Sequence, residues 1–111
     1  MSDSQETEVQ FIENMEEATE YQLKHTPACK VEGHPDSLIV RVKIGLNGLS
    51  HPQTEEHLIE WIAIFDGDQE LDKVFFKPGQ TPEFDFEIAY PYYQTIVQAY
   101  CNLHGIFGTY I

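Results

Sequence analysis

Residues 38–44 alternate, with Leu38, Val40, Val42 and Ile44 on one parity and Ile39, Arg41 and Lys43 on the other. That period of two predicts a strand buried on one face. The cleanest alternation is "EFDFEIAY", where Phe84, Phe86, Ile88 and Tyr90 interleave with Glu83, Asp85, Glu87 and Ala89. "HLIEWIAIF" is rich in branched and aromatic residues and stops at the turn signal "DGDQ". "DKVFFK" predicts a further strand, ended by "PGQTP", and "QTIVQAYC" predicts one that runs directly into Cys101. Ahead of these, Val9, Ile12 and Met15 recur at a spacing of three in an acidic segment, which fits either a short helix or an acidic arm. Short strands separated by Gly, Pro and Asp turns, with no internal repeat, predict an all-β sandwich or barrel. The long loop "LNGLSHPQTEE" interrupts the spacing, and long loops in compact domains are often functional.

The length of 111 residues suits one domain with a real core, and 41% hydrophobic content excludes a wholly disordered chain. A formal charge of -13 disfavours binding to nucleic acid or anionic lipid and favours a basic or neutral partner. No apolar run approaches the roughly 20 residues of a membrane span, and the first residues lack a signal-peptide pattern, so a cytoplasmic chain is expected. Cys29 and Cys101 are the only cysteines. In a reducing compartment they argue for a catalytic or metal-bound thiolate rather than a structural disulfide.

The histidines crowd the loops. His25 lies in "LKHTP" before the strand at 38–44, His51 and His57 in "SHPQTEEHLIEW", and His104 follows Cys101 in "YCNLHG". Six residues is the wrong separation for one helical face, so His51 and His57 must converge through a folded loop that Pro52 stiffens. Imidazole and thiolate ligands suit iron, copper or zinc rather than magnesium or calcium. His34, in "EGHPDS", reads as a structural hairpin residue, Cys29 as a buried thiol on an early strand, and Trp61 as core.

Together "KHTP", "HPQTEEHLIEWI" and "YCNLHG" resemble, in the same order, the motifs of the superoxide reductase family, which includes neelaredoxin and the iron-site domain of desulfoferrodoxin. The resemblance runs from about residue 23 to residue 107. It implies an immunoglobulin-like β-sandwich over residues 23–111, preceded by an acidic arm over 1–22. It also implies a mononuclear non-haem iron with His25, His51, His57 and His104 as equatorial ligands and Cys101 as axial thiolate. Superoxide would be reduced to hydrogen peroxide without release of dioxygen. Lys24 matches the family's lysine beside the first histidine, a cation that draws the anionic substrate and helps stabilise or protonate the peroxide. Rubredoxin as electron donor and a homotetramer or homodimer, with "DKVFF" and "FDFEIAYPYY" as candidate interfaces, are further implications.

Two positions depart from the family pattern. Leu23 stands where members usually carry a glutamate that occupies the sixth site of ferric iron, so that site is expected to be empty or to hold water or hydroxide, unless Glu20 reaches it. Phe107 stands where many members have tryptophan, keeping an aromatic cover without an indole donor. No four-cysteine domain precedes the motifs, which matches the one-iron, neelaredoxin type. The competing readings are a non-catalytic iron-binding electron-transfer or sensor protein, a copper carrier, and a structural zinc site. The copper carrier lacks a methionine after His104, and five ligands exceed zinc's usual four.

Overall fold

The structure, a computed structural model, describes residues 8–89 and 94–111. Two sheets face each other. One contains β2 (Pro27–Gly33), β3 (Ser37–Ile44) and β6 (Glu83–Ala89) in the order β2-β3-β6. The other contains β1 (Val9–Gln10), β4 (Ile59–Asp66), β5 (Gln69–Phe75), β7 (Thr95–Cys101) and β8 (Gly105–Tyr110) in the order β1-β8-β7-β4-β5. All pairings are antiparallel except β1 with β8.

The alternation read from the sequence sets which side chains face inward. Val40, Val42, Ile44, Phe86 and Ile88 from the smaller sheet meet Ile59, Ile62, Ile64, Val97, Ala99 and Cys101 from the larger. Each fully buried branched or aromatic side chain contributes about 1.5–3 kcal/mol, so this layer dominates the stability of the sandwich. Register Val42 to Phe84, Val40 to Phe86 and Leu38 to Ile88 keeps β3 and β6 on one parity, but Phe84, near the start of β6, stays 39% exposed and only Phe86 and Ile88 of that strand enter the core. Tyr90, the last member of that alternation, and the remainder of "YPYY" lie outside the described residues.

Two expectations change. The span Val9, Ile12, Met15 does not form a helix: Val9–Gln10 is a strand on β8, and Met15–Glu17 is a single 3-10 turn. Three apolar residues at that spacing give too little helical face to outweigh an open sheet edge. Glycine at 108 lets the arm settle, because a Cβ there would lie 2.7 Å from Val9 Cγ1. Trp61 is half-buried rather than core. Its parity puts it on the outer face of β4, stacked on Tyr100 at 5.8 Å with the Lys73 ammonium 4.3 Å from its ring centre. His34 sits in the β2–β3 hairpin, as the sequence suggests, with Nε2 2.9 Å from Glu32. Among the described residues no helix is long and apolar enough to cross a membrane.

Candidate metal centre

Three segments converge at one end of the sandwich, and each is fixed by local chemistry. The first is α1 (Glu20–His25), which begins with a capping box. Gln22 N–H donates to Thr19 Oγ1 at 3.1 Å, and Thr19 N–H donates to Gln22 Oε1 at 2.9 Å. The helix stops before Pro27, and the Thr26 hydroxyl donates to the Gln22 carbonyl at 2.8 Å. His25, its last residue, is thereby aimed inward and is only 3% exposed.

The second segment is the loop between β3 and β4. Gly45 starts it at φ +110, where a Cβ would fall 2.0 Å from the Leu49 carbonyl oxygen, so only glycine turns the chain there. Beyond it the loop reverses through Thr54 and His57: Thr54 N–H donates to the His57 carbonyl at 3.0 Å, and His57 N–H donates to Thr54 Oγ1 at 3.1 Å. The Gln53 side chain clamps this turn to β4, accepting from Ile59 N–H at 2.8 Å and donating to the Ile59 carbonyl at 3.3 Å. This folding brings His51 and His57 together, with ring centres 4.4 Å apart.

The third segment is the turn from Cys101 to Gly105. Gly105, at φ +90, closes it, and Asn102 ties it to the loop. Leu58 N–H donates to Asn102 Oδ1 at 2.9 Å, and Asn102 N–H donates to the Leu58 carbonyl at 3.0 Å. The β4–β7 register shifts between Ile59, which pairs with Cys101, and Trp61. Such irregularities commonly re-aim side chains beside functional sites. Gln53, Thr54 and Asn102 were not singled out from sequence, although each lies inside a motif that carries a ligand.

The result is a closed cycle of four imidazoles. His51 meets His25 at 4.7 Å, His25 meets His104 at 5.0 Å, His104 meets His57 at 5.2 Å, and His57 meets His51 at 4.4 Å. Each contact is edge-on. Ligand atoms of His25, His51, His57 and Cys101 all lie within 4.8 Å of one another. That is close to the roughly 4.4 Å between opposed nitrogen and sulfur ligands of one ion. His104 completes the cycle from the exposed rim and is not a member of that tight group of four.

Hydrogen bonds fix two tautomers. His25 Nδ1 donates to the Tyr21 carbonyl at 2.6 Å and His51 Nδ1 donates to the Pro52 carbonyl, so in each neutral ring Nε2 keeps its lone pair. The His51 lone pair accepts from the Cys101 thiol at 3.5 Å. Nε2 of both His25 and His57 is buried with no hydrogen-bond partner. An orphaned buried acceptor is costly, and two of them facing a thiol are what a metal ion would satisfy. The donor set therefore fits a transition metal.

Electrostatics agree with that fit. Burial, reinforced by neighbouring positive partners, lowers His25 and His57 from the usual imidazole value and takes His51 to about 4. All three are neutral at pH 7, the form in which imidazole can hold a metal. Burial raises the Cys101 thiol, while N–H groups of Leu103 and His104 directed at the sulfur pull it back down. Lys24 stands beside His25 on α1, its ammonium 3.7 Å from Glu20 and close enough to disfavour protonation of His25 and His57. Phe107 stacks on His25 at 4.7 Å.

The chain is similar to known proteins in sequence and fold. A provisionally named superoxide reductase of Methanocaldococcus jannaschii is 34% identical over 102 residues, spanning 86% of each chain. A desulfoferrodoxin homolog of Archaeoglobus fulgidus is 36% identical over 83 residues, and the aligned part spans 59% of its length. The one-iron superoxide reductase of Giardia intestinalis superposes with a TM-score of 0.69 at 31% identity, covering 79% of this chain and 96% of that one. The desulfoferrodoxin family profile matches residues 16–109, and the chain belongs to that family.

Proposed function

We propose that the chain is a superoxide reductase whose iron is held by His25, His51, His57, His104 and Cys101. The observation that carries the reading is the closed imidazole cycle with a buried thiol against it and two orphaned Nε2 atoms. Iron held by these residues would supply one-electron reduction of superoxide to hydrogen peroxide, with two protons taken up and an external donor restoring the electron. Cys101 gives up its proton to serve as thiolate, and the Leu103 and His104 N–H groups stabilise the charge on its sulfur. The Tyr21 and Pro52 carbonyls hold the His25 and His51 rings with Nε2 free.

Lys24 draws the substrate. The chain carries a net charge of -13, but screening over about 10 Å makes distant carboxylates weak, and the nearby ammonium sets the local sign. The iron-binding unit is taken as residues 23–111, with 1–22 as an acidic arm whose Val9–Gln10 strand pairs with β8. A cytoplasmic location, a rubredoxin-type donor and a homo-oligomer belong to the same proposal. The exposed Phe75, next to the stacked Trp61 and Tyr100, supports an interface on the outer face of the larger sheet.

The deciding experiment mixes the iron-loaded, reduced protein with superoxide in a single turnover. About one peroxide per superoxide with no dioxygen is expected of a reductase. Half a peroxide with matching dioxygen would mean dismutation. No acceleration over buffer would leave a non-catalytic iron-binding electron-transfer or sensor protein, the reading that Leu23 in place of the family's glutamate keeps in view.

A further inference from the structure

We infer that the Tyr21 side chain is a positioning residue of the metal centre, holding the His104 imidazole in the ligand cycle by ring contact. The inference rests on the metal site proposed above. His25 and His51 are each oriented by a hydrogen bond from Nδ1. The exposed His104 ring makes no hydrogen bond among the described residues, and it projects from a three-residue turn. Its backbone is secured separately, because Gln10 Nε2 donates to the His104 carbonyl at 2.8 Å. Its ring contacts are with Tyr21, His25 and His57.

Tyr21 is the one of these that is not itself a proposed ligand. Its ring meets His104 edge-on at 5.0 Å and 83°, His25 at 4.8 Å and Phe107 at 5.7 Å. The ring, 42% exposed, therefore bridges from α1 to the β7–β8 hairpin along one face. The Thr19 capping box fixes α1, and with it the place of Tyr21 in the first turn, so the bridge is carried by a rigid element. An imidazole with no hydrogen bond at its outer nitrogen is free to swing about its ring torsion. An edge-to-face partner restrains that swing. Outer partners of metal-bound histidines are typically worth 10–100-fold in metal affinity.

The test is a double-mutant cycle read as Fe(II) affinity by chelator competition, with Co(II) absorption as a second probe. Tyr21→Leu is expected to weaken Fe(II) binding by about 10-fold and to shift the thiolate-to-metal absorption, while Tyr21→Phe stays within about twofold of the unaltered protein. In a His104→Ala background Tyr21→Leu should have no further effect. The same loss in that background would overturn the role, as would an unchanged Tyr21→Leu or a Tyr21→Phe as weak as Tyr21→Leu. If the unaltered chain binds Co(II) through Cys101 but not Fe(II), the iron reading fails and the cycle is completed with Co(II). Binding of neither metal overturns both.

Discussion

The two cysteines lie on opposite sheets, Cys29 on the edge strand β2 and Cys101 at the end of the interior strand β7, and are prepared for different fates. Cys29, on β2, packs half-buried against the core, and burial alone pushes its thiol up to about 12. Cys101, at the end of β7, is 0% exposed, yet its sulfur faces His51 Nε2 at 3.5 Å and the Leu103 and His104 N–H groups. Burial by itself makes a thiol inert. Burial with directed donors and a neighbouring imidazole suits it to the ligand role proposed above.

The largest effect that could break this comparison comes from exchanging each sulfur for oxygen. Cys101→Ser should abolish the thiolate-to-iron absorption and cost more than the roughly 100-fold upper range seen for outer-shell partners, in metal affinity and in peroxide formation. Cys29→Ser should leave both within about twofold and lower stability by about 1 kcal/mol. Equal losses in the two variants would mean that the asymmetry of their surroundings has no chemical consequence.

Next in size is the framework that carries Cys101. Asn102 Oδ1 is the acceptor for Leu58 N–H, so Asn102→Leu leaves that donor without its partner, at a cost of about 1–3 kcal/mol in urea unfolding. Metal affinity should fall about 10-fold or more. An unchanged unfolding midpoint would show that the two loops are held together by other contacts.

Protonation sharpens the contrast further. At pH 7 His25, His51 and His57 are already neutral, while the Cys101 thiol is raised and protonated. Metal uptake should therefore release about one proton, and apparent affinity should rise about tenfold per pH unit near neutrality. Calorimetry in buffers of different ionisation enthalpy counts that proton. Release of none would mean that the sulfur is not a ligand.

The metal-free protein has a linked dependence of opposite origin. His51 falls from an unfolded value of 6.5 to about 4 on folding, so between those values only the unfolded chain takes up its proton. Stability is then full above about pH 6.5 and is lost as pH falls towards 4, at up to about 1.4 kcal/mol per pH unit for one such group. His51→Asn should flatten that slope in metal-free urea titrations at pH 7.5 and 5. An unaltered slope would assign the acid sensitivity to His25, His57 or the carboxylates.

The sequence is most legible where a pattern is periodic or a motif is compact. The alternation in β3 and β6 identifies the inward residues, and the motif resemblance points to the five side chains that form the cluster. It is least legible where partners are distant. Nothing in "NLHG" alone says that Asn102 reaches Leu58, and nothing in "HPQTEEH" says that Gln53 clamps Ile59. Trp61 shows a second limit, because hydrophobicity suggested core while strand parity puts the ring on the outer face beside Lys73.

The smallest expected effect probes Cys29 directly. Cys29 lines two surface depressions, one with Phe11 and Met15 and one with Phe84, Arg41 and Asp85, so a small reagent has physical access to the neighbourhood. Reactivity still depends on the thiolate fraction, and with the thiol raised to about 12 that fraction at pH 7.5 is on the order of 10⁻⁴ to 10⁻⁵. Iodoacetamide should therefore modify Cys29 more slowly than an unperturbed cysteine by roughly three orders of magnitude, with the rate rising about tenfold per pH unit. Mass spectrometry of the iron-loaded protein isolates this site, because the metal protects Cys101. Rapid labelling of Cys29 at pH 7.5 would show that desolvation at the edge of β2 is too slight to suppress ionisation, and the contrast between the two thiols would then rest on the His51 contact and the directed N–H groups alone.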